Sequence, residues 1–263
     1  MASSKPIVGI GRVLLWSGGS LWIGRAGGRA QAHAHHAIQI SMALTGRLRL
    51  WAEDVQIWRE HAVALVRPHQ RHEFDGAGET VAQIFVEPET TQGRALLLQG
   101  DAAASIVDLP REPIQALLAA LLDAFAADAA DEALVAISHR IVDALCGQSL
   151  PGLSVDPRIS RAIEFLRARL AEPVTLAQAA AAAHLSPSRF RHLFVAQTGM
   201  SLRAYLLWAR VEAAVGAAMG GQSWTEAAQD CGFADSAHLS RTCRRMFGIA
   251  PTMLVRPMRS SAA

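Results

Sequence analysis

The chain has 263 residues, 51% of them hydrophobic and 18% charged, with a formal net charge of +2. That length predicts two domains with real cores. No apolar run is long enough to span a membrane, MASSKPIVGIGR lacks the apolar block of a signal peptide, and three scattered cysteines (Cys146, Cys231, Cys243) exclude a disulfide framework, so a cytoplasmic protein without a membrane partner is expected.

Between Ile7 and Glu87 short apolar runs alternate with turn residues. The expected strands are Val13 to Trp16, Leu21 to Arg25, Ile38 to Leu44, Arg47 to Ala52, Val55 to Arg59, Ala62 to Val66 and Val81 to Glu87. Thr45-Gly46 and Glu53-Asp54 are read as tight hairpin turns. So many short strands predict a sandwich or barrel. Histidines crowd this region: His33, His35 and His36 before one strand, then His61, His69 and His72. H-x-H with a further imidazole on a neighbouring strand is metal-ligand spacing. The segment resembles the cupin motifs. His33 and His35 match the H-x-H, Gln39 stands where cupins carry a metal-binding Glu, and Gly46 closes the first motif. Pro68 to His72 matches the second only loosely. Three readings stay open for His33, His35, Gln39 and His72: a divalent-metal site, a metal-free effector pocket, or surface histidines at a strand entrance. No other cofactor is expected.

From Pro113 to Gln148 the apolar spacing turns helical, first in Ile114, Leu117, Leu118, Leu121, Leu122 and Phe125, then in Leu134, Ile137, Ile141, Val142 and Leu145. These residues predict two helices that cover the barrel, or a helix with a second stripe for a partner subunit. Gln148 to Pro157 (QSLPGLSVDP) loses periodicity and reads as a linker. It divides an effector-binding and dimerisation domain, 1–150, from a second domain, 155–258.

Charge divides at the same place. From Val155 onward there are 13 Arg, no Lys and 7 acidic residues, a net +6 against −4 before it, so the second half is the one expected to meet a polyanion. Asp156-Pro157 opens a helix, and Thr175-Leu-Ala-Gln178 is a capping box that starts the next. Ser186-Pro187 starts a third, with Phe190, Leu193 and Phe194 inward and Ser188, Arg189, Arg191 and His192 outward. Gly199 ends it, and Ser201 caps a longer helix of roughly 18 residues, about 27 Å. The pattern then repeats: Ser223-Trp-Thr-Glu226 is a second capping box, Cys231-Gly232-Phe233 a turn, and Asp235 the cap of a final helix. Leu239, Cys243 and Phe247 point inward there, leaving Ser236, Ala237, His238, Ser240, Arg241, Arg244 and Arg245 outward. An apolar anchored face with polar donors near the helix start is what a major-groove recognition helix needs.

With LSPSRFRHLFVAQTGMSLRAYLLWAR and CGFADSAHLSRTCRRMFGIAP in view, about a hundred residues from Ile159 to Arg256 resemble the DNA-binding domain of the AraC/XylS family of bacterial transcription regulators. The resemblance implies an α+β two-domain chain: an N-terminal cupin-like β-barrel with flanking helices, and an all-α C-terminal domain with two helix-turn-helix motifs joined by a linker helix. It implies that Ser188, Arg189, Arg191 and His192 read one major-groove segment of double-stranded DNA, and Ser236, Ala237, His238, Ser240 and Arg241 the next. It also implies an unidentified small-molecule effector in the barrel, a homodimer, and RNA polymerase as partner at promoters. Leu239 and Cys243 stand where the family usually has Phe, so a smaller, softer second core is expected. The alternative is a metal cupin enzyme with an accessory DNA-binding module.

Overall fold

The computed structural model describes residues 9–147 and 155–255. Most of the expected linker, residues 148–154, lies outside them. The N-terminal half holds ten strands: β1 Gly9–Trp16, β2 Gly19–Ala26, β3 Arg29–His33, β4 Ile38–Ala43, β5 Leu48–Ala52, β6 Trp58–His61, β7 Val63–Val66, β8 His72–Asp75, β9 Thr80–Val86 and β10 Ile106–Asp108. A short helix α1 (Thr91–Leu96) follows β9, and α2 (Gln115–Ala126) and α3 (Asp131–Cys146) close the half.

The strands form two sheets, and the expected barrel is not closed. One sheet runs β10-β7-β4-β9-β2-β1 and ends on a two-residue strand, β11 (Leu254–Val255), from the far end of the chain; the other runs β3-β8-β5-β6. Thr45-Gly46 is accordingly not a hairpin turn, because β4 and β5 lie in different sheets and the chain crosses between them there. The tight hairpin is Ser17-Gly18, which joins β1 to β2 with Trp16 opposite Gly19. The expected strand Val55 to Arg59 is displaced to Trp58–His61, beyond a five-residue loop.

Between the sheets lie Leu48, Leu50, Val66, Phe74 and Val81. On the other face of the larger sheet, Ile38, Ile40, Ile84 and Leu65 pack against Leu118 and Leu121 of α2 and Leu134 and Ile141 of α3. The helical stripes read from sequence therefore bury against the sheet. Arg67, itself buried, donates to the carbonyls of Leu97, Gln99, Asp101 and Ala104 at 2.8–3.0 Å and so fixes the loop after α1.

The C-terminal half is α4 (Pro157–Arg167), α5 (Leu176–Ala182), α6 (Pro187–Thr198), α7 (Leu202–Met219), α8 (Trp224–Asp230) and α9 (Ser236–Phe247). Every N-cap expected from sequence is present. Asp156, Ser186, Ser201 and Asp235 accept backbone N–H groups, and Thr175–Gln178 and Ser223–Glu226 are complete capping boxes. Each cap satisfies donors the helix leaves open, worth about 1 kcal/mol. Ile159, Leu166, Phe190, Phe194 and Tyr205 fill the first module. In the second, Leu239 and Cys243 are buried beside Trp208, Phe233 and Phe247. Among the described residues no helix is long and apolar enough to cross a membrane.

Burial pushes the Cys243 thiol up to about 12, so at pH 8 almost none of it is thiolate. Iodoacetamide at pH 8 should leave Cys243 unmodified in the folded protein and modify it fully in urea. Peptide mapping by mass spectrometry reads the result, and rapid alkylation of the native state would contradict the packing of α9.

Candidate nucleic-acid interface and sensor cavity

The two recognition-type helices are built alike. α6 and α9 are each 12 residues long, each starts from a side-chain cap, and each ends on a left-handed glycine, Gly199 (φ 71°) and Gly248 (φ 69°). Burying Phe190 and Phe194 turns Ser188, Arg189, Arg191 and His192 to the exposed side of α6. On α9, burying Leu239, Cys243 and Phe247 leaves Ala237, Arg241, Arg244 and Arg245 exposed, with Ser236, His238 and Ser240 half-buried. The His238 ring stands edge-on to Phe233 at 5.2 Å, so part of that side chain is committed to packing. α7 joins the modules as one 18-residue rod. Its Arg210 donates to the Leu170 and Glu172 carbonyls at 2.7 and 2.9 Å, which ties the rod to the turn after α4.

Of the barrel histidines, the fold gathers three. One ring nitrogen from each of His33, His35 and His72 lies within 4.8 Å of the others. Each Nδ1 sits on a backbone carbonyl: His33 on Gln31 at 2.8 Å, His35 on Ala37 at 2.8 Å and His72 on Gln70 at 2.9 Å. A carbonyl only accepts, so Nδ1 carries the proton and Nε2 is left with its lone pair. Gln39 Oε1 lies 2.9 Å from His35 Nε2 and 3.3 Å from His72 Nε2. Two acceptors cannot satisfy each other. The contact is balanced by an amide turned to present its NH2 or by a cation among the rings. Burial pushes His33 down to about 3 and His35 to about 4, and His72 well below its usual value, so all three imidazoles are neutral at pH 7. His36, His61 and His69 are not in this group. His36 meets buried Glu89 at 2.8 Å, His61 meets Asp108 at 2.7 Å, and His69 is exposed beside His36.

Beside the cluster is a cavity of about 90 Å³, against the roughly 10–15 Å³ that one water requires. Val13, Trp22, Ile23 and Phe85 line it from the sheet, and Met219, Phe247, Ile249 and Leu254 from the C-terminal half. Its polar lining includes His33, Gln39 and Gln83. Two arginines also reach it, but Arg12 is held by Asp128, Asp131 and the Ala129 carbonyl, and Arg25 donates to the Gly78 carbonyl. Sequence reading found the histidines and missed this cavity, because its walls come from opposite ends of the chain.

The cavity belongs to a continuous seam. The Phe247 ring lies 4.7 Å from Trp22, 5.6 Å from Trp208 and 5.8 Å from Phe85. Leu254 and Val255 pair in parallel with Gly9 and Ile10. Further along, Arg167 of α4 contacts Glu87 after β9 and Glu212 of α7, and Arg94 of α1 donates to Gln197 of α6. Burial pushes the Glu212 carboxyl up, partly offset by Arg167.

Comparison with known proteins agrees with this architecture. A helix-turn-helix domain family matches residues 179–256. The "Probable transcriptional regulator LumQ" of Photobacterium leiognathi is 24% identical over 228 residues, covering 84% of this chain and 90% of that one. ToxT from Vibrio cholerae O395 superposes with a TM-score of 0.53 at 12% identity, covering 94% of both chains. Wild-type ToxT from Vibrio cholerae strain SCE256, solved with an unsaturated fatty acid bound, gives 0.51 at 11% identity over 95% of both. The fold shared with ToxT spans both halves.

Proposed function

Taking the chain as a DNA-binding transcription regulator of the AraC/XylS type, and not an enzyme, we infer that it reads two adjacent major-groove segments with α6 and α9 and takes an uncharged, mainly apolar effector in the seam cavity. The observation that carries the DNA reading is the matched pair of capped helices with arginines on their open faces, joined by one rod. The rod is about 27 Å long at 1.5 Å per residue, comparable with the roughly 34 Å of one B-DNA turn. Arg191 and Arg241 are the candidates for bidentate contact with guanine. Ser188, Arg189, His192, Ser236, His238 and Ser240 supply further contacts, and Ala237 offers only apolar contact, such as to a thymine methyl. The protein acts in the cytoplasm as a homodimer that bears on RNA polymerase at the promoter. The exposed alanines of α2 (Ala116, Ala119 and Ala120) offer a face for the second copy.

The effector class follows from the lining. A bound fatty acid, as in the ToxT structure, needs a cation for its carboxylate. Here Arg12 is paired with Asp128 and Asp131 and exposed Arg25 is turned to the Gly78 carbonyl, while His33, Gln39 and Gln83 supply uncharged polar lining to meet a polar end. A second reading of the same region is favoured by the three converging imidazoles, with one ring nitrogen of each within 4.8 Å of the others. His33, His35 and His72, neutral and oriented by backbone carbonyls, fit a divalent metal such as zinc, with Gln39 as neighbour. Bound there, the metal would supply a charge and a crosslink between β3, β8 and the loop before β4. It needs no chemistry.

Three outcomes are expected. Arg191→Ala should cost about 1–3 kcal/mol of DNA affinity and relax preference at one base position; an equal loss on every sequence would make Arg191 a phosphate contact instead. In a thermal-shift assay, 1-octanol should raise the melting temperature and octanoate should not, and stronger stabilisation by octanoate would refute the uncharged class. By titration calorimetry, zinc should bind the chelator-stripped protein at one site per chain. His33→Ala and His72→Ala should abolish that binding, and His61→Ala should not; loss in all three, or in none, would remove the metal reading.

A further inference from the structure

The two recognition helices end on the same glycine cap, yet the barrel holds those caps differently. A Cβ placed on Gly199, at the end of α6, would meet only His69 Nε2, at an ordinary 3.6 Å. A Cβ on Gly248, at the end of α9, would lie 2.2 Å from the Gln31 carbonyl oxygen and 2.7 Å from His33 Nδ1. Gln31 N–H donates to the Gly248 carbonyl at 3.1 Å, and His33 Nδ1 donates to the Gln31 carbonyl at 2.8 Å. The backbone of α9's cap therefore lies directly on β3, at a histidine whose other nitrogen belongs to the imidazole cluster. The neighbouring Phe247 ring is 6.3 Å from His35. The docked end is the C-terminal end of α9. The reading end stays open, with Ala237 and Arg241 exposed.

We propose that the contact of Gly248 with Gln31 and His33 sets the pitch of α9 for DNA, so that Gly248, Gln31 and His33 are positioning residues for the second half-site and the imidazole cluster tunes that site alone. β3 is an edge strand, so Gln31 N–H is available to Gly248 without leaving a sheet ladder. A recognition helix anchored at the end remote from the bases reaches DNA already oriented, and its binding free energy is not spent on ordering it. A metal bridging His33, His35 and His72 fixes His33 and hence the platform under Gly248. Among the described residues, the cap of α6 makes no backbone hydrogen bond to the sheet half; the Arg94–Gln197 side-chain bond and His69 beside Gly199 are what meet it there. The inference rests on the DNA-reading roles above, and its zinc arm rests on the metal reading.

The test compares Gly248→Ala with Gly199→Ala in the full-length protein. Both place alanine in the same left-handed cap, so the local backbone cost is matched and only the clash with β3 differs. Circular dichroism and thermal melts identify folded variants. Because Gly248→Ala strains α9 itself, Gln31→Pro, which breaks the same contact from the strand side by replacing the donor with a ring carbon facing the Gly248 carbonyl, is measured beside it. Quantitative footprinting on a two-half-site operator should show second-half-site affinity falling at least fivefold in Gly248→Ala and Gln31→Pro, with less than a twofold change at the first. Gly199→Ala should leave the second half-site within twofold of wild type. One base pair inserted between the half-sites should penalise the wild type more than Gly248→Ala. Zinc added to chelated protein should strengthen the second half-site of the wild type at least fivefold and leave His33→Ala unchanged. Equal losses at both half-sites, no loss, or a gain in Gly248→Ala would overturn the proposal. Arg241→Ala separates the failures: if it too leaves the second half-site intact, the DNA-reading role of α9 has failed and the positioning role falls with it. If calorimetry shows zinc bound without effect on the second half-site, the coupling fails and the metal site stands.

Discussion

Phe247 is the residue on which the arrangement of the two halves depends. It closes the last turn of α9, and its ring enters a pocket made by Trp22 and Phe85 of the sheet and Trp208 of the linker helix. Large aromatic rings bury more apolar area than any other side chains, and offset or edge-on contacts add to that burial. With Ala37 and Phe85 of the barrel in the same cluster as Val211, Val215, Ala227 and Leu239, the second helix-turn-helix has no core separate from the sheet. The sheet half and the second helix-turn-helix are one hydrophobic unit.

Apolar packing fixes that the halves meet, and the buried ions fix how. Glu87 and Glu89 from the sheet side and Glu212 from α7 are all nearly inaccessible, facing one guanidinium, Arg167, and one imidazole, His36. Desolvating so many charges costs more than a matched apolar surface would, so this network adds little net stability. A register shift by one residue would strand several buried charges at once. The network therefore selects one docked geometry among the many that a greasy surface permits. Burial pushes the Glu212 carboxyl up, with a smaller push from Glu89, and Arg167 and His36 offset part of it.

Local rules made the C-terminal half legible. Each helix start is declared by a Ser, Thr or Asp whose side chain bonds two or three residues ahead, and each recognition helix stops at a glycine with positive φ; none of this needs knowledge of the tertiary fold. The barrel was legible only where its strands alternate cleanly. β3 (RAQAH) and β8 (HEFD) are short and mostly polar and β10 (IVD) is only three residues long, and in β3 and β8 the buried inward positions include His33 and His72, which a hydropathy pattern scores as outward. Those two were recovered through metal-ligand spacing. Leu239 and Cys243 pack beside Trp208, Phe233 and Phe247, with Ala37 and Phe85 of the sheet half in the same cluster, a neighbourhood that no local pattern announces. Pairing between Gly9 and Leu254, nearly the whole chain apart, leaves no local signal at all.

These facts make the two DNA-reading modules unequal in a way their sequences hide. The first is closed around Phe190, Phe194 and Tyr205 with α4, and it meets the barrel through polar side chains at its margin. The second completes its core with the sheet and lays its cap glycine on a strand edge. Packed cores do not deform smoothly; a change at one wall is taken up by rearrangement of what touches it. Phe247, Met219 and Ile249 are among the walls of the cavity, and no residue of α6 lines it. A displacement of those walls therefore bears on the second module before the first. The two helix-turn-helix units on one rod are thus joined to the sheet by different means, the second through a shared apolar core and the first through the Arg167 ion pairs and the Arg94–Gln197 bond.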